Sequence, residues 1–193
     1  MCPVRALRVA YTGELGWELH HPIEMQNYLL DILLSSGKEF NLKLVGARAQ
    51  NWLRQEKSYK AFGSDLGRDA GPFESNLSRF VDINKNFLGK DALLKRKTEV
   101  SCVTVLIDGP KDIDPWGREA LYNETEDSML GRLTSAGYSV HFKRSIGIGY
   151  VKSSFSEVGT KLRIKIDDAF WDAEIVRDSP YDPQNERIID RVQ

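Results

Sequence analysis

The residues with the clearest chemical potential lie near the start of the sequence, at positions 11–19. Tyr11 ends an extended stretch, Gly13 and Gly16 suit a turn, and Glu18 follows the tyrosine by seven residues. An aromatic ring and a carboxylate on the two sides of a glycine-containing turn could build a small pocket. A hairpin with a surface glutamate fits the same residues, and these residues alone favour that simpler interpretation.

Other patterns of catalytic residues do not occur in the sequence. It has no G-x-S-x-G, H-E-x-x-H, Walker or paired C-x-x-C motif. Of its three histidines, His20 and His21 are neighbours on an extended stretch, where successive side chains point to opposite faces, so they do not predict a metal site. Residues 145–150 contain alternate glycines but precede no helix, which favours a strand packed against another backbone over a phosphate loop.

The elements that must position these residues fall into two groups. In the first group, alternation over residues 6–20 predicts a hairpin. Helical periodicity follows from Pro22 to Gly37, and a second helix is predicted over residues 46–57. A short strand over residues 80–83 and a short helix that opens at residues 89–94 and ends in residues 95–97 complete this group.

After Thr98 the pattern changes to short apolar runs separated by turn residues. The predicted strands cover residues 102–107, 130–135, 146–151, 162–166 and 171–176. Strands at this spacing with little helix are typical of a small all-β sandwich or barrel. The sequence therefore predicts an α+β part over residues 1–97 and a β part over residues 98–193.

Composition excludes several classes of protein. The chain has 193 residues, with 27 basic and 28 acidic side chains, and this balance argues against a dedicated nucleic-acid binder. No apolar run approaches the length of about 20 residues that crosses a bilayer, and the first residues lack the apolar core of a signal peptide. Two cysteines, Cys2 and Cys102, give no disulfide framework. We expect a soluble chain without a membrane partner, in the cytoplasm or, in a eukaryote, in the mitochondrial matrix.

Several motifs in order resemble one family. Residues 11–19 resemble the Y-T-G-E-x-G-x-E signature of the glycine-cleavage T-protein (aminomethyltransferase) family. Further segments are similar to later motifs of that family, namely residues 52–59, 71–77, 86–93, 133–139 and 146–151. Residues 17–22 and 179–183 resemble one branch of the family more closely. In that branch the same module forms the C-terminal end of sarcosine and dimethylglycine dehydrogenases.

The resemblance implies a fold and a ligand. The fold is α+β, with ferredoxin-like split α+β layers over residues 1–97 that form an incomplete half of the family's folate domain. A small C-terminal β-barrel follows over residues 98–193. The implied ligand is tetrahydrofolate, and no flavin site is expected in this chain.

The resemblance also implies which residues bind folate. Tyr11 matches the family's tyrosine beside the folate, and Glu18 matches the glutamate that accepts hydrogen bonds from the pterin. In the dehydrogenase branch the next two residues also line the site, which here are Leu19 and His20. An ionised carboxylate is a suitable acceptor for the N–H groups of a pterin edge, and an aromatic side chain can cover the ring.

The sequence departs from the family pattern at three places. The family's catalytic aspartate belongs to an N-terminal half that this chain lacks, so no catalytic residue is assigned. Gln50 stands where the T-protein has a folate-binding arginine, and Arg79 replaces an aromatic residue. Arg79 could stack on the pterin or reach the glutamyl tail, and equally could be a surface cation. Arg187 near the C-terminus is a further candidate for the folate carboxylates.

Two functions follow from the resemblance. The first is the folate-binding portion of an enzyme that passes an aminomethyl or iminium carbon to tetrahydrofolate, giving 5,10-methylenetetrahydrofolate. The alternative is a non-catalytic interaction or regulatory module of the same fold. Under the first function we expect little or no turnover from this chain alone. The missing N-terminal or flavin-binding portion, in the same chain or another, would be a partner, and the front half should expose an apolar surface where it packs.

Overall fold

The computed structural model describes residues 1–109 and 113–189. In the front part of the chain, before the barrel, β1 (Arg5–Leu7) pairs antiparallel with β2 (Glu18–His20) as a two-stranded sheet. A 3-10 turn over Ile23–Met25 leads into α1 (Gln26–Ser36), and a second 3-10 turn over Gly37–Phe40 ends it. Then come α2 (Ala47–Glu56), a 3-10 turn over Ser78–Phe80 and α3 (Lys90–Lys95). The predicted hairpin and three helices are therefore confirmed.

The second part is a closed antiparallel barrel of six strands. Its strands are β3 (Val100–Ile107), β4 (Ala120–Asn123), β5 (Met129–Ser139), β6 (Arg144–Lys152), β7 (Lys161–Ile166) and β8 (Ala169–Val176). They are ordered β3-β6-β5-β4-β7-β8, and the pairing of β3 with β8 closes the barrel. The predicted α+β chain with a C-terminal barrel is confirmed.

Two local predictions differ from the structure. The strand predicted over residues 80–83 is wrong, because the Val81 amide donates back to the Ser78 carbonyl at 3.0 Å instead of to a neighbouring strand. Strand β4 was not predicted, since it has four residues and buries only Leu121. A strand this short gives too little alternation to be recognised without its neighbours.

Glycines in β5 and β6 let the two strands approach closely. A Cβ atom on Gly131 would lie 1.9 Å from the Tyr150 carbonyl oxygen, and one on Gly149 would lie 2.4 Å from the Arg132 carbonyl oxygen. Of the alternate glycines of residues 145–150, Gly149 therefore serves backbone packing, as the sequence predicted, at a place where the register of β5 and β6 also shifts, whereas a Cβ atom on Gly147 would meet the Leu133 side chain at 2.8 Å.

The apolar core lies wholly within the barrel. Among the described residues, every buried apolar side chain belongs to the span from Cys102 to Ile175. The side chains buried in the first hundred residues are polar or charged, and include Arg54, Glu56 and Lys57. Buried polar contacts thus join the front part to the barrel, Trp52 packs against Tyr138 of β5, and many other apolar side chains of the front part are exposed. The apolar surface expected for the front half is present.

A buried ion pair connects α2 to the barrel. Arg54 donates to the Asp65 carboxylate at 2.6 Å, and both side chains are almost fully buried. Arg54 also donates to Ser135 Oγ on β5 at 2.6 Å and to the Tyr59 carbonyl at 2.7 Å. Asp65 accepts from the hydroxyls of Thr134 and Ser135, both at 2.6 Å. Each charge is therefore neutralised and hydrogen-bonded, which is the condition under which burial of a charge is tolerated.

No helix in the described part of the chain has the length and apolar character needed to cross a membrane.

Removing one partner of the buried pair should destabilise the fold. Arg54→Met leaves the Asp65 carboxylate without its cation, which costs about 3–5 kcal/mol in the free energy of unfolding. The control is Arg144→Met, which removes a more exposed pair with Asp108 and should cost less than about 1 kcal/mol. Urea unfolding followed by circular dichroism measures both values. Equal losses in the two variants would contradict a central role for the Arg54–Asp65 pair.

Stability should also fall in alkaline solution. Burial raises the pKa of the Cys102 thiol from 9.0 to about 12, so between these pH values the unfolded chain loses a proton that the folded chain keeps. The free energy of unfolding is therefore not reduced by this thiol below pH 9. As the pH rises from 9 toward 12, the free energy of unfolding declines by about 1.4 kcal/mol per pH unit.

Urea unfolding at several alkaline pH values checks this slope. Cys102→Ala should flatten the slope, whereas Cys2→Ala, at a less buried position, should leave it unchanged. A slope that Cys102→Ala does not change would show that other groups cause the alkaline loss.

Candidate functional site

A cleft of about 580 Å³ lies between the front part and the segment that follows the last strand of the barrel. Tyr11 and Ala10 contribute to it from the end of the first extended stretch, and residues 57–60 from the segment after α2. Residues 76–80 form another side, and Asp178 and Ser179 follow β8. A volume of this size is within the range of about 300–1,000 Å³ found for small-molecule sites.

Two stacked tyrosines form an aromatic wall of the cleft. The rings of Tyr11 and Tyr59 are nearly parallel, at 16°, with centroids 6.1 Å apart. The Arg54 guanidinium lies 5.9 Å from the centre of the Tyr11 ring, so the buried ion pair also supports this wall. Burial raises the pKa of both phenols, which therefore stay neutral at physiological pH.

The cleft is lined by three cationic side chains with different surroundings. Lys57 Nζ donates to the Asp182 carbonyl at 2.7 Å and to Asn185 Oδ1 at 2.8 Å, and these bonds fix it as a structural group. The Lys60 side chain is 6% exposed, and its ammonium makes two longer contacts, each of 3.4 Å, with the Ser58 carbonyl and the Asp178 carboxylate. Arg79 makes no ion pair among the described residues. Lys60 and Arg79 therefore retain donor capacity for an anionic ligand.

The backbone around the cleft adopts an unusual conformation at several non-glycine residues. Ser58, Asn76, Ser179 and Asn185 line the cleft and have φ between +51° and +61°. Ser58 is held in place because its hydroxyl bonds Thr104 Oγ1 at 2.7 Å and accepts from the Ser179 amide at 2.9 Å. Left-handed conformations of this kind persist only where surrounding contacts impose them, and they are concentrated at ligand sites.

The glycine turn of residues 12–16 is fixed by the C-terminal segment. Gly13 has φ +81°, and a Cβ atom there would lie 2.2 Å from Lys57 Cγ, so glycine is required. The Leu15 amide donates to the Arg187 carbonyl at 3.1 Å, and Glu14 accepts from the Tyr181 hydroxyl. The turn is thus a rigid link between Tyr11 and β2.

The predicted site residues on β2 lie outside the cleft. Glu18 and His20 share one face of the hairpin and contact each other, with 3.5 Å between Glu18 Oε2 and His20 Nε2. Leu19 points to the other face opposite Ala6. All three residues of β2 are exposed. The structure therefore brings Tyr11 and Arg79 to one cleft and places Glu18, Leu19 and His20 at the far end of the turn.

Arg187 is also exposed and outside the cleft. Its amide donates to an Asp182 carboxylate oxygen at 3.2 Å and its carbonyl accepts from Leu15. Its backbone thus holds the turn, and a contact of its side chain with folate stays a prediction.

Several cleft residues were not assigned to the site from the sequence. They are Tyr59, Lys60, Asn76 and Asp178. Tyr59 lies in a segment that resembles a family motif, but nothing in that motif distinguishes an aromatic wall from a core residue. Lys60 and Asp178 are 118 positions apart in the sequence, and no local pattern could have paired them.

No group of three or more metal-ligating side chains occurs within the described residues. The aromatic wall and the two available cations can hold a flat ligand that carries an anionic group.

Comparisons with known proteins give a consistent result. Residues 1–85 match the family model described as the GCVT N-terminal domain, and residues 101–182 match the glycine cleavage T-protein C-terminal barrel domain. A mitochondrial dimethylglycine dehydrogenase from Mus musculus is 37% identical over 91% of this chain and 20% of its own length. An aminomethyltransferase from Caldanaerobacter subterraneus is 32% identical over 82% of this chain and 42% of its own length.

The fold has a counterpart among solved structures. The crystal structure of glycine cleavage system aminomethyltransferase T from Bartonella henselae superposes with a TM-score of 0.80 at 23% identity, covering 91% of this chain and 49% of that one. The chain spans less than half the length of these relatives. With two family models in the expected order over most of its length, the chain belongs to the glycine-cleavage T-protein (aminomethyltransferase) family.

Proposed function

We propose that this chain contributes the tetrahydrofolate-binding portion of a one-carbon transfer enzyme. In that reaction an aminomethyl or iminium carbon is passed to tetrahydrofolate, which becomes 5,10-methylenetetrahydrofolate. The observation that carries the proposal is the position of Tyr11. The tyrosine of the family signature forms the aromatic wall of the 580 Å³ cleft, with Lys60 and Arg79 on its other sides.

The chemistry of the cleft fits a reduced folate. Its aromatic wall can cover a flat ring system, since stacked rings gain both apolar contact and favourable quadrupole interactions. The folate tail ends in carboxylates, and the nearly buried Lys60 ammonium can form charge-assisted hydrogen bonds with one of them. Arg79 can bind a second carboxylate through its planar guanidinium. Asp178 sets the position of the Lys60 ammonium until the ligand enters.

Glu18 has a separate role in this proposal. Its exposed carboxylate accepts N–H donors of the pterin edge, with His20 beside it and Leu19 on the opposite face. The ligand then extends from the cleft past the fixed turn of residues 12–16 toward β2. This arrangement assigns the tail to the cations and the pterin edge to the hairpin.

The contribution of the chain to the reaction is positioning. Fixing the folate so that its reactive nitrogen meets the incoming carbon at about 3 Å lowers the barrier without any proton transfer by these residues. No residue of this chain is proposed to act as the catalytic acid or base.

A non-catalytic interaction module is the alternative function. The observation that favours it is the exposed apolar surface of the front part, where Ile23, Phe40 and Leu44 are largely exposed. The two functions are separated by titration with a reduced folate, because only the first requires saturable binding.

Lys60→Met should weaken tetrahydrofolate binding by about 10- to 100-fold, because it removes a charge-assisted hydrogen bond from a buried site. Titration followed by tryptophan fluorescence or calorimetry gives the dissociation constants. Lys165→Met is the matched control, since Lys165 is an exposed lysine of β7, and should bind like the parent chain.

A second ligand tests the assignment of the tail. Tetrahydropterin, which lacks the tail, should bind equally to the parent chain and to Lys60→Met. Absence of saturable folate binding would contradict the proposed function and leave the non-catalytic interaction module as the remaining function. An equal loss for both ligands would show that Lys60 does not bind the tail.

Glu18→Gln should weaken tetrahydrofolate binding by about tenfold, because a neutral amide is a weaker acceptor and presents its own donors to the pterin. Glu24→Gln, at an exposed glutamate of the following turn, is the control. The same titration measures both. Unchanged binding in Glu18→Gln would confine the ligand to the cleft and contradict the role of the hairpin, without affecting the role of Tyr11.

A further inference from the structure

The segment that follows β8, residues 177–189, forms one wall of the cleft without regular secondary structure. Asp178, Ser179, Pro183 and Asn185 of this C-terminal segment line the cleft. The segment contains neither helix nor strand, and none of its apolar side chains is buried. A segment with few buried apolar contacts opens locally at a lower free energy than a closed core. The C-terminal segment is therefore able to move away from the cleft while the barrel stays folded.

The backbone of the segment is strained in the observed position. Ser179, Asp182 and Asn185 all have left-handed conformations, with φ of +51°, +44° and +61°. Such conformations are costly for residues other than glycine, although aspartate and asparagine tolerate them better than serine does. They persist only while surrounding contacts impose them. The position of the segment therefore depends on its contacts with the rest of the chain.

The strongest of these contacts are made by Lys57. Its side chain is fully buried, and its Nζ donates to the Asp182 carbonyl at 2.7 Å and to Asn185 Oδ1 at 2.8 Å. The Asp182 carboxylate lies 3.6 Å from the same ammonium. A buried cation is tolerated only where hydrogen bonds and opposite charge replace its water. All three of these partners belong to the C-terminal segment, so the buried charge of Lys57 holds the segment in place.

Three backbone amides also connect the segment to the front part. The Ser179 amide donates to Ser58 Oγ at 2.9 Å, and the Tyr181 amide donates to the Glu56 carbonyl at 3.0 Å. In the opposite direction, the Leu15 amide donates to the Arg187 carbonyl at 3.1 Å. These bonds must break when the segment moves, so the three amides report its movement.

The same segment limits access to Lys60. The Lys60 side chain is 6% exposed, and its ammonium lies 3.4 Å from the carboxylate of Asp178, the second residue of the segment. An anionic group that approaches this ammonium meets the like charge of Asp178 first. Full contact of the anion with Lys60 thus requires that Asp178 move away, together with the backbone that carries it.

We propose that the C-terminal segment opens to admit the anionic tail of the ligand to Lys60, and that Lys57 is the positioning residue that holds the segment closed. The role of the opening in ligand entry rests on the proposed function, whereas the opening itself does not. Opening removes Asp178 from Lys60 and exposes the ammonium. The segment then closes over the bound tail, because the contacts of Lys57 do not involve Lys60 and can form again.

Hydrogen exchange followed by NMR tests the opening in the chain without ligand. The amides of Leu15, Ser179 and Tyr181 should exchange at rates that low concentrations of urea leave unchanged, because local opening exposes little surface. Lys57→Met should accelerate their exchange at least tenfold and should change the amides of β3 much less. Lys165→Met, at an exposed lysine of β7, is the control and should exchange like the parent chain.

Stopped-flow mixing with tetrahydrofolate tests the role of the opening in ligand entry. If the tail enters only after the segment opens, the observed association rate should level off at high ligand concentration, at the opening rate. Lys57→Met should raise this limiting rate at least threefold. Tetrahydropterin, which lacks the tail, should show no limiting rate in either chain.

Three results would overturn the proposal. Urea-sensitive exchange of the three amides, at the rates of the β3 amides, would show that the segment opens only with global unfolding. Equal acceleration of these amides and of β3 in Lys57→Met would show that Lys57 only stabilises the fold. Saturable tetrahydrofolate binding with no limiting rate would show that the segment does not control entry. Absence of any folate binding would instead contradict the proposed function, and hydrogen exchange would still decide whether the segment opens.

Discussion

The buried pair of Arg54 and Asp65 is the contact on which the arrangement of the chain depends. It joins α2 to β5, because Arg54 reaches Ser135 and Asp65 accepts from both Thr134 and Ser135. The same guanidinium lies against the ring of Tyr11. A buried ion pair is favourable only when every donor and acceptor has a partner. This requirement restricts the position of α2 against the barrel. The position of the aromatic wall follows from this restriction.

The two parts of the chain are stabilised by different forces. The barrel has an apolar core closed on all sides by strand pairing, with Ile107, Leu121 and Ile164 fully buried. The front part buries polar groups against the barrel and leaves many of its apolar groups exposed. Apolar surface gives a strong driving force for association when it is removed from water. The front part thus keeps several large apolar side chains in contact with water, among them Ile23, Phe40 and Leu44.

The cleft lies at the junction of these two parts. Its walls come from the family signature, from the segment after α2 and from the residues that follow β8. Several of these residues adopt left-handed backbone conformations that polar contacts hold in place, as Ser58 shows. A site built in this way depends on both parts of the chain at once. Binding of the proposed ligand would therefore also depend on correct packing of the front part against the barrel.

The sequence by itself determined the hairpin, the helices, the C-terminal barrel and the family, because local periodicity, turn residues and ordered motifs are visible without tertiary contacts. It also identified Tyr11, which now lies in the cleft. The tertiary structure decided which cations stand beside that ring. Lys60 meets Asp178 only after the barrel brings residues 118 positions apart together, and no local pattern encodes such a contact. The tertiary structure also determined that Glu18 lies on an exposed strand, because the burial of each face of a strand depends on what packs against it.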